Sequence, residues 1–294
     1  MNSSNPRVSI GVPVYNGAAT LDAMFRALLQ QTFRDFEIII SDNASTDATA
    51  AICAKYAAQD ARIRYFRQAK NIGAERNFEF VLDQARGPYF MWSASDDIRS
   101  QEFLEENVGF LETHPDYVAS TCPNRLEGRG LVTFSIEGDI AERFDAFFDH
   151  SWVSHGIFYA LIRKDVLRDC EAVGRSFFGA DWAVDLYLAS RGNIHRTERG
   201  MMVSGAAGIS SQANVWRKYR THWMGWLFPF YHVSIYAMKL SSSFDLAQRL
   251  SLMKRLLKLN VWAAYSQFHA EFYPFYFAHI RPWLRTAGKR RSES

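Results

Sequence analysis

The sequence predicts an α/β fold: a mainly parallel sheet flanked by helices, with a helical, aromatic-rich C-terminal extension. Three observations predict it. From Val8 to roughly Asn124, short apolar runs alternate with segments of helical periodicity, the pattern of strands joined by right-handed crossover helices. The residues just past each run are turn-forming or acidic. Beyond about Gly208 the alternation stops, and Trp and Tyr crowd the stretch from Trp216 to Trp283.

Val8 to Val14 is the first strand, ending at Tyr15-Asn16-Gly17. Leu21, Met24, Phe25, Leu28 and Leu29 recur at helical spacing. Phe36 to Ile40, rich in β-branched Ile, is the second strand. Ser45 or Thr46 can cap the next helix, with Asp47 favourable in its first turn. Ile63 to Phe66 is a third strand, and Phe78, Val81 and Leu82 give the following helix an apolar face. Tyr89 to Trp92 is a fourth strand. Phe103, Leu104, Val108 and Leu111 mark another helix, and Tyr117 to Thr121 a fifth strand. The region from about Arg125 to Gly205 is mixed. In it Asp181 opens a helical stretch with Ala183, Val184, Leu186, Tyr187 and Leu188. The expected division is a catalytic unit over 1–207 and an extension over 208–294.

Composition narrows the function. With 48% hydrophobic and 22% charged residues over 294 positions, the chain is ordinary globular protein able to bury a large core. A net charge of +3 is too small to argue for nucleic acid. Cys53, Cys122 and Cys170 form no CxxC pair, so neither a zinc site nor a disulfide framework is expected, and a reducing compartment is the simpler reading. Met1 to Arg7 lacks the apolar core of a signal peptide, so a cytoplasmic protein is expected. No apolar run reaches the ~18 residues of a spanning helix. The absence of GxGxxG, of a GxxxxGK[ST] loop and of HExxH disfavours dinucleotide dehydrogenases, P-loop enzymes and zinc hydrolases.

In a parallel sheet, ligands bind beyond the carboxyl ends of the strands. That rule gathers Tyr15 and Asn16, Asp42 and Asn43, Asn71 and Gly73, and Ser95, Asp96 and Asp97 on one rim. Asp96 and Asp97 can hold a divalent metal through oxygen, which would neutralise a leaving diphosphate; alternatively one of them caps the helix beginning near Ser100. Asp42 can accept hydrogen bonds from a base or ribose, or close an Asx turn. Asp181 can act as a general base, or serve the dipole of its helix. His155 and His222 are candidate acceptor or phosphate contacts, although a lone His more often has a structural role.

Three long blocks then resemble the inverting glycosyltransferases of family 2. They are Val8-Ser9-Ile10-Gly11-Val12-Pro13-Val14-Tyr15-Asn16-Gly17, the stretch Gln31 to Asp47 containing Ser41-Asp42-Asn43-Ala44-Ser45-Thr46-Asp47, and Asn71-Ile72-Gly73-Ala74-Glu75-Arg76-Asn77. The resemblance covers about residues 8 to 110, weakens to about 205 and ends there. It implies a GT-A (Rossmann-like) fold, a nucleoside-diphosphate sugar donor, here expected to be a UDP-sugar, and Mg²⁺ or Mn²⁺. It implies that Pro13 and Tyr15 line the nucleotide pocket, that Asp42 contacts the base, and that Asn16, Asn71, Arg76, Ser95 and Asp96 complete the donor site. Asp96 and then Asp97 are the implied metal ligands; Ala94 stands where the family's Asp-x-Asp motif begins. Gly179-Ala180-Asp181-Trp182 resembles the segment carrying the catalytic base, with Ala180 in place of the usual Glu. The resemblance implies transfer, with inversion, to a glycan or lipid-linked hydroxyl in surface polysaccharide synthesis. A nucleotide-sugar-binding scaffold without catalysis remains the alternative.

The extension lies outside the resemblance. Phe244 to Phe268 is an expected helix with a stripe of Leu246, Leu250, Met253, Leu257 and Val261, and with Lys254, Arg255 and Lys258 close to it. Aromatics beside cations suit a membrane surface; packing onto the catalytic unit or a homodimer interface is the other expectation.

Overall fold

A computed structural model describes residues 5–126, 130–150, 156–205, 215–220 and 222–275. In chain order its strands are β1 (Val8–Val14), β2 (Phe36–Asp42), β3 (Ile63–Arg67), β4 (Tyr89–Trp92), β5 (Ile98–Arg99), β6 (Tyr117–Thr121), β7 (Asn124–Leu126), β8 (Gly130–Val132), β9 (Leu161–Arg163), β10 (Asn193–Arg196) and β11 (Met202–Ser204). The helices are α1 (Leu21–Leu29), α2 (Thr49–Gln59), α3 (Ala74–Asp83), α4 (Phe103–Thr113), α5 (Ile140–Asp149), α6 (Ala180–Arg191), α7 (Val215–Tyr219), α8 (Met224–Leu227), α9 (Tyr231–Leu240) and α10 (Leu246–Phe275). Two 3₁₀ turns, Ile157–Tyr159 and Lys164–Asp169, flank β9.

The main sheet runs β10-β6-β9-β4-β1-β2-β3. Strands β4, β1, β2 and β3 pair in parallel, and β9 runs antiparallel between β4 and β6. Every residue of β1 and β2 is buried, as expected of parallel strands covered on both faces. Side chains alternate across the sheet. Ile38 and Ile40 enter the core under α1, α2 and α4, while Ile39 points into the core under α3, α5 and α6. Gly11 lets α3 come close: a methyl there would stand 2.7 Å from Val81 Cγ2 and 2.9 Å from the Phe90 ring. A second, four-stranded sheet, β5-β11-β7-β8, sits past the end of β4 and has no counterpart in the sequence reading.

One expectation is corrected, and on α10 the structure shows which face packs. Helix α2 begins at Thr49, later than a Ser45 or Thr46 cap requires, because Ser45 and Thr46 are spent on the neighbouring loop described below. The apolar stripe of α10 is not its packed face. Leu252, Leu256, Leu259 and Ala263 are the buried residues, while Leu246, Leu250, Met253, Leu257 and Val261 are exposed. Arg255 lies away from that stripe, on Asp145 and Asp149 of α5.

The C-terminal helices share the core of the sheet layer. Phe230, Val233, Ala237, Phe244, Leu252 and Leu256 join Phe144, Ala183 and Leu186 in one buried cluster. Phe230 stacks on Trp182 with ring centroids 5.0 Å apart. Asn260 accepts from the Phe230 amide and donates to Ser234 Oγ, each at 2.9 Å. Among the described residues, no helix is long and apolar enough to cross a membrane.

Candidate active site

The carboxyl ends of β1 and β2 are clasped loop to loop. The Asn16 amide donates to Ser45 Oγ at 2.9 Å, the Thr46 amide to Asn16 Oδ1 at 2.9 Å, and the Gly17 amide to Thr49 Oγ1 at 2.9 Å. Asn16 and Ala44 take left-handed φ values of 52° and 59°, conformations that non-glycine residues adopt only where the surroundings hold them. The clasp leaves the Tyr15 ring 50% exposed above the rim, while Pro13 is buried in β1.

Asp42 is fully buried, and both its oxygens are occupied. Oδ1 accepts from the Ser45 amide at 2.8 Å and Oδ2 from the Tyr65 hydroxyl at 3.0 Å. It therefore closes the Asx turn that shapes the rim. Asn71 is likewise used inside the protein: its Oδ1 accepts from Asn43 Nδ2 at 3.1 Å and from the Gly73 amide at 2.9 Å. Arg76, on the first turn of α3, has a side chain 72% exposed beside Glu79.

Past β4 the chain carries Ser95, Asp96 and Asp97. The helix expected near Ser100 starts at Phe103, with Glu102 at its N-cap, so neither Asp caps it. Ser95 packs on Gly17, joining this loop to the clasp. Asp97 is turned inward and is 4% exposed. Its Oδ1 accepts from the Gly205 amide at 3.2 Å and its Oδ2 lies 3.8 Å from the Arg99 guanidinium. Arg99 is itself buried, donating to Ser93 Oγ at 2.8 Å and the Trp92 carbonyl at 3.1 Å. Burial pushes the Asp97 carboxyl above its ordinary range, against the pull of Arg99. Asp96 is half-buried and rests directly on Gly205, where a methyl would stand 2.1 Å from Asp96 Oδ2.

Asp181 comes from the other half of the fold. Gly179, at φ 81°, starts α6; a methyl there would stand 2.9–3.0 Å from Phe230 and Val233. Asp181 follows in the first turn, where its own amide and that of Trp182 bond to its carboxylate. The side chain is open to solvent, yet the surrounding protein desolvates it and raises its pKa. One turn on, Asp185 is 4% exposed with its Oδ1 unpartnered. Burial, and then the charge of Asp181, hold its proton on well above the ordinary range.

Tyr159 connects these parts. The 3₁₀ turn that carries it packs against both β4 and α6, and burial, with the charges of Asp97, Asp181 and Asp96, raises its phenol pKa. Asp96, in the loop past β4, and Asp181, at the start of α6, thus follow elements that meet at this turn, although 84 residues of chain separate them. Sequence reasoning misses Tyr159, Arg99 and Gly205, because none belongs to a local motif. His222 is exposed, in the turn entering α8, where its carbonyl accepts from the Gly225 amide; it is not part of this group. His155 lies outside the described residues. Among the described residues no three His, Cys, Asp or Glu side chains stand together as a metal site.

Comparison with known proteins agrees with this architecture. Residues 9–170 match the model of glycosyl transferase family 2. The putative glycosyltransferase EpsE of Bacillus subtilis is 32% identical over 133 residues, covering 45% of each chain. The GalNAc(5)-diNAcBac-PP-undecaprenol beta-1,3-glucosyltransferase of Campylobacter jejuni is 26% identical over 225 residues, 73% of this chain and 71% of that one. The match thus spans under half the length of several curated relatives. Residues 1–349 of TarS from S. aureus in complex with UDP-GlcNAc superpose with a TM-score of 0.59 at 19% identity, over 90% of this chain and 81% of that one. The mannosyltransferase PcManGT of Pyrobaculum calidifontis, in complex with GDP-Man and Mn²⁺, gives 0.57 at 16% identity, over 99% and 82%. These likenesses show the GT-A fold, and the family match, covering more than half of the sequence, shows that the chain belongs to glycosyl transferase family 2.

Proposed function

We propose that this chain is an inverting glycosyltransferase, moving a sugar from a UDP-sugar to a hydroxyl of a glycan or lipid-linked acceptor in surface polysaccharide synthesis. The observation that supports the reading is that β4, which leads into the Asp96 loop, and α6, which begins at Asp181's turn, both pack on the turn carrying Tyr159: a carboxylate for the diphosphate side and a carboxylate for the acceptor side of one site. The UDP-GlcNAc bound by TarS supports a uridine donor. The undecaprenol in the name of the Campylobacter relative supports a lipid-linked acceptor, and with it a place in the cytoplasm at the inner face of the membrane.

Ionised Asp181 accepts the proton of the acceptor hydroxyl. The freed oxygen bonds to the anomeric carbon from the face opposite the donor's diphosphate. The bond from that carbon to the diphosphate oxygen breaks, and its electron pair leaves with the nucleoside diphosphate. Mg²⁺ or Mn²⁺, when bound, neutralises charge on that leaving group. Asp96 would hold it, because Asp97 is committed to Arg99. A cation with one protein carboxylate, its other ligands being phosphate oxygens and water, is the mode that Mg²⁺ accepts. Tyr15 offers the base a ring face, Pro13 backs it, and Asp42 sets the loop from behind. Exposed Arg76 stands at the donor rim.

One observation favours the second reading, a scaffold that binds nucleotide sugar without turnover: Ala94 and the Asp97–Arg99 pair leave a single carboxylate for the metal. Release of UDP from UDP-sugars in Mn²⁺ separates the two. The transferase reading expects metal-dependent release that Asp96→Ala abolishes. UDP binding with no release from any donor would overturn it in favour of the scaffold, and undiminished release in Asp96→Ala would overturn the assignment of Asp96.

A further inference from the structure

Helix α10 has two apolar faces, and the fold uses one of them. Leu252, Leu256, Leu259 and Ala263 are buried in the helical side of the core. Gln267, on the adjoining side, donates to the carbonyls of Gly225 and Trp226 at 2.8 and 2.7 Å. The other face carries Leu246, Leu250, Met253, Leu257, Val261 and Tyr265 at steps of three and four, one stripe of a helix. These six are 53–74% exposed. The stripe continues to Phe272, so the ridge is about 39 Å long at ~1.5 Å per residue. Near its end Trp226 stacks on Phe268 at 4.9 Å. Trp223 and Leu227, 73% and 50% exposed, widen the patch there. An apolar surface of this length marks an interaction site.

Charge selects the partner. Lys254 and Lys258 follow Leu250 and Leu257 by four residues and one, so helical geometry sets them along one border of the ridge. The only acid of α10, Glu271, is turned inward onto Arg217 and Arg220. The sequence after the helix, 276–294, carries Arg281, Arg285, Lys289, Arg290 and Arg291 against one acid, Glu293. A second copy docked ridge to ridge would meet this positive border with its own, since a twofold contact pairs a surface with itself. An anionic bilayer complements both features: the ridge enters the acyl boundary while the lysines reach the headgroups. We propose that this ridge, with the aromatics at α8, seats the protein on an anionic lipid surface with α10 lying in the interface plane.

The seat needs no sugar chemistry, so its test is separate from the transferase reading. The full chain is floated with phosphatidylcholine vesicles with and without phosphatidylglycerol. The expected result is flotation with the anionic vesicles and its loss in the double variant Leu250→Asp, Leu257→Asp. Both positions are exposed, and an unchanged melting temperature checks that the variant folds; Ser at the same positions replaces Asp if it does not. Lys254→Ala with Lys258→Ala should weaken binding about 30-fold, from ~1 kcal/mol per cation near an anionic surface. Failure of the full chain to float with phosphatidylglycerol overturns the proposal. A dimer in sedimentation velocity that the ridge variant abolishes would then assign the face to a second copy. Flotation unchanged by the ridge variant also overturns it, since the basic sequence after residue 275 alone would account for binding.

Discussion

Gly205→Ala tests the site at its narrowest point. The added methyl would stand 2.1 Å from Asp96 Oδ2, 2.2 Å from Cγ and 2.6 Å from Cβ. Ordinary contact begins at 3.4 Å. Rotating the carboxylate cannot relieve the overlap, because Cβ itself is too close. The loop carrying Asp96 must therefore retreat, by roughly 1 Å or more, and a misplacement of ~1 Å typically costs about 10²-fold in rate. Gly205 is exposed and its φ is not in the left-handed region, so the strain falls on the contact with the Asp96 loop and not on the φ of residue 205 itself. The assay is UDP release against Mn²⁺ concentration, with a thermal melt beside it. The expectation is kcat/KM lower by about two orders of magnitude, half-activity at higher Mn²⁺, and an unchanged melt. Wild-type kcat/KM and metal dependence in Gly205→Ala would refute the placement of Asp96 as the metal-side carboxylate.

Asp181→Asn should fold, bind UDP and lose turnover by ~10²–10⁴-fold. Because the surrounding protein desolvates Asp181 and raises its pKa, the proposed base is ionised only at pH above that raised value. The acid limb of kcat/KM should accordingly lie above the ~3.9 of an ordinary Asp and vanish in the variant; an unchanged limb would assign it to another group. Arg99→Met removes the cation from a buried carboxylate, which typically costs ~3–5 kcal/mol and should appear as a lower urea midpoint. Adding Asp97→Asn should restore most of it, and a wild-type midpoint in Arg99→Met alone would show that the pair contributes nothing to stability.

The sheet is legible in the sequence wherever strand and helix periods alternate cleanly. The boundaries of β1 and β4 match the apolar runs, because both faces of those strands are buried and their residues need no polar alternation. Strand β2 runs on through Ser41 and Asp42, polar residues whose partners, Asn77 and Tyr65, come from elsewhere in the chain. The second sheet is not legible: β5, β7, β8 and β11 have two or three residues each, too few to show a period. On α10 the sequence shows an apolar stripe without showing which neighbour, if any, covers it. The true inner face mixes Leu252, Leu256 and Leu259 with Asn260 and Gln267, amides made tolerable by backbone partners on α8 and at the start of α9.

The site shows the same division more sharply. Motif matching ranks Asp96 ahead of Asp97 as a metal ligand, and the fold gives Asp97 a buried cation partner. What commits Asp97 is Arg99, two residues on and buried between β4 and the 3₁₀ turn carrying Tyr159. Desolvating a guanidinium there is costly unless a carboxylate accompanies it, so Asp97 answers to the interior, while Asp96 is half-buried against Gly205. The same reasoning bears on Ala94. With Asp97 neutralising Arg99, a third carboxylate at position 94 would add like charge beside two that already act on Tyr159, and repulsion between such groups raises their pKa values. Fewer carboxylates on this side favour an ionised Asp181, which its proposed role as base requires. On the proposed reading, Ala94 in the place of the family's first Asp and the kept Asp181 fit one charge arrangement, and the UDP-release assay decides between that reading and the scaffold.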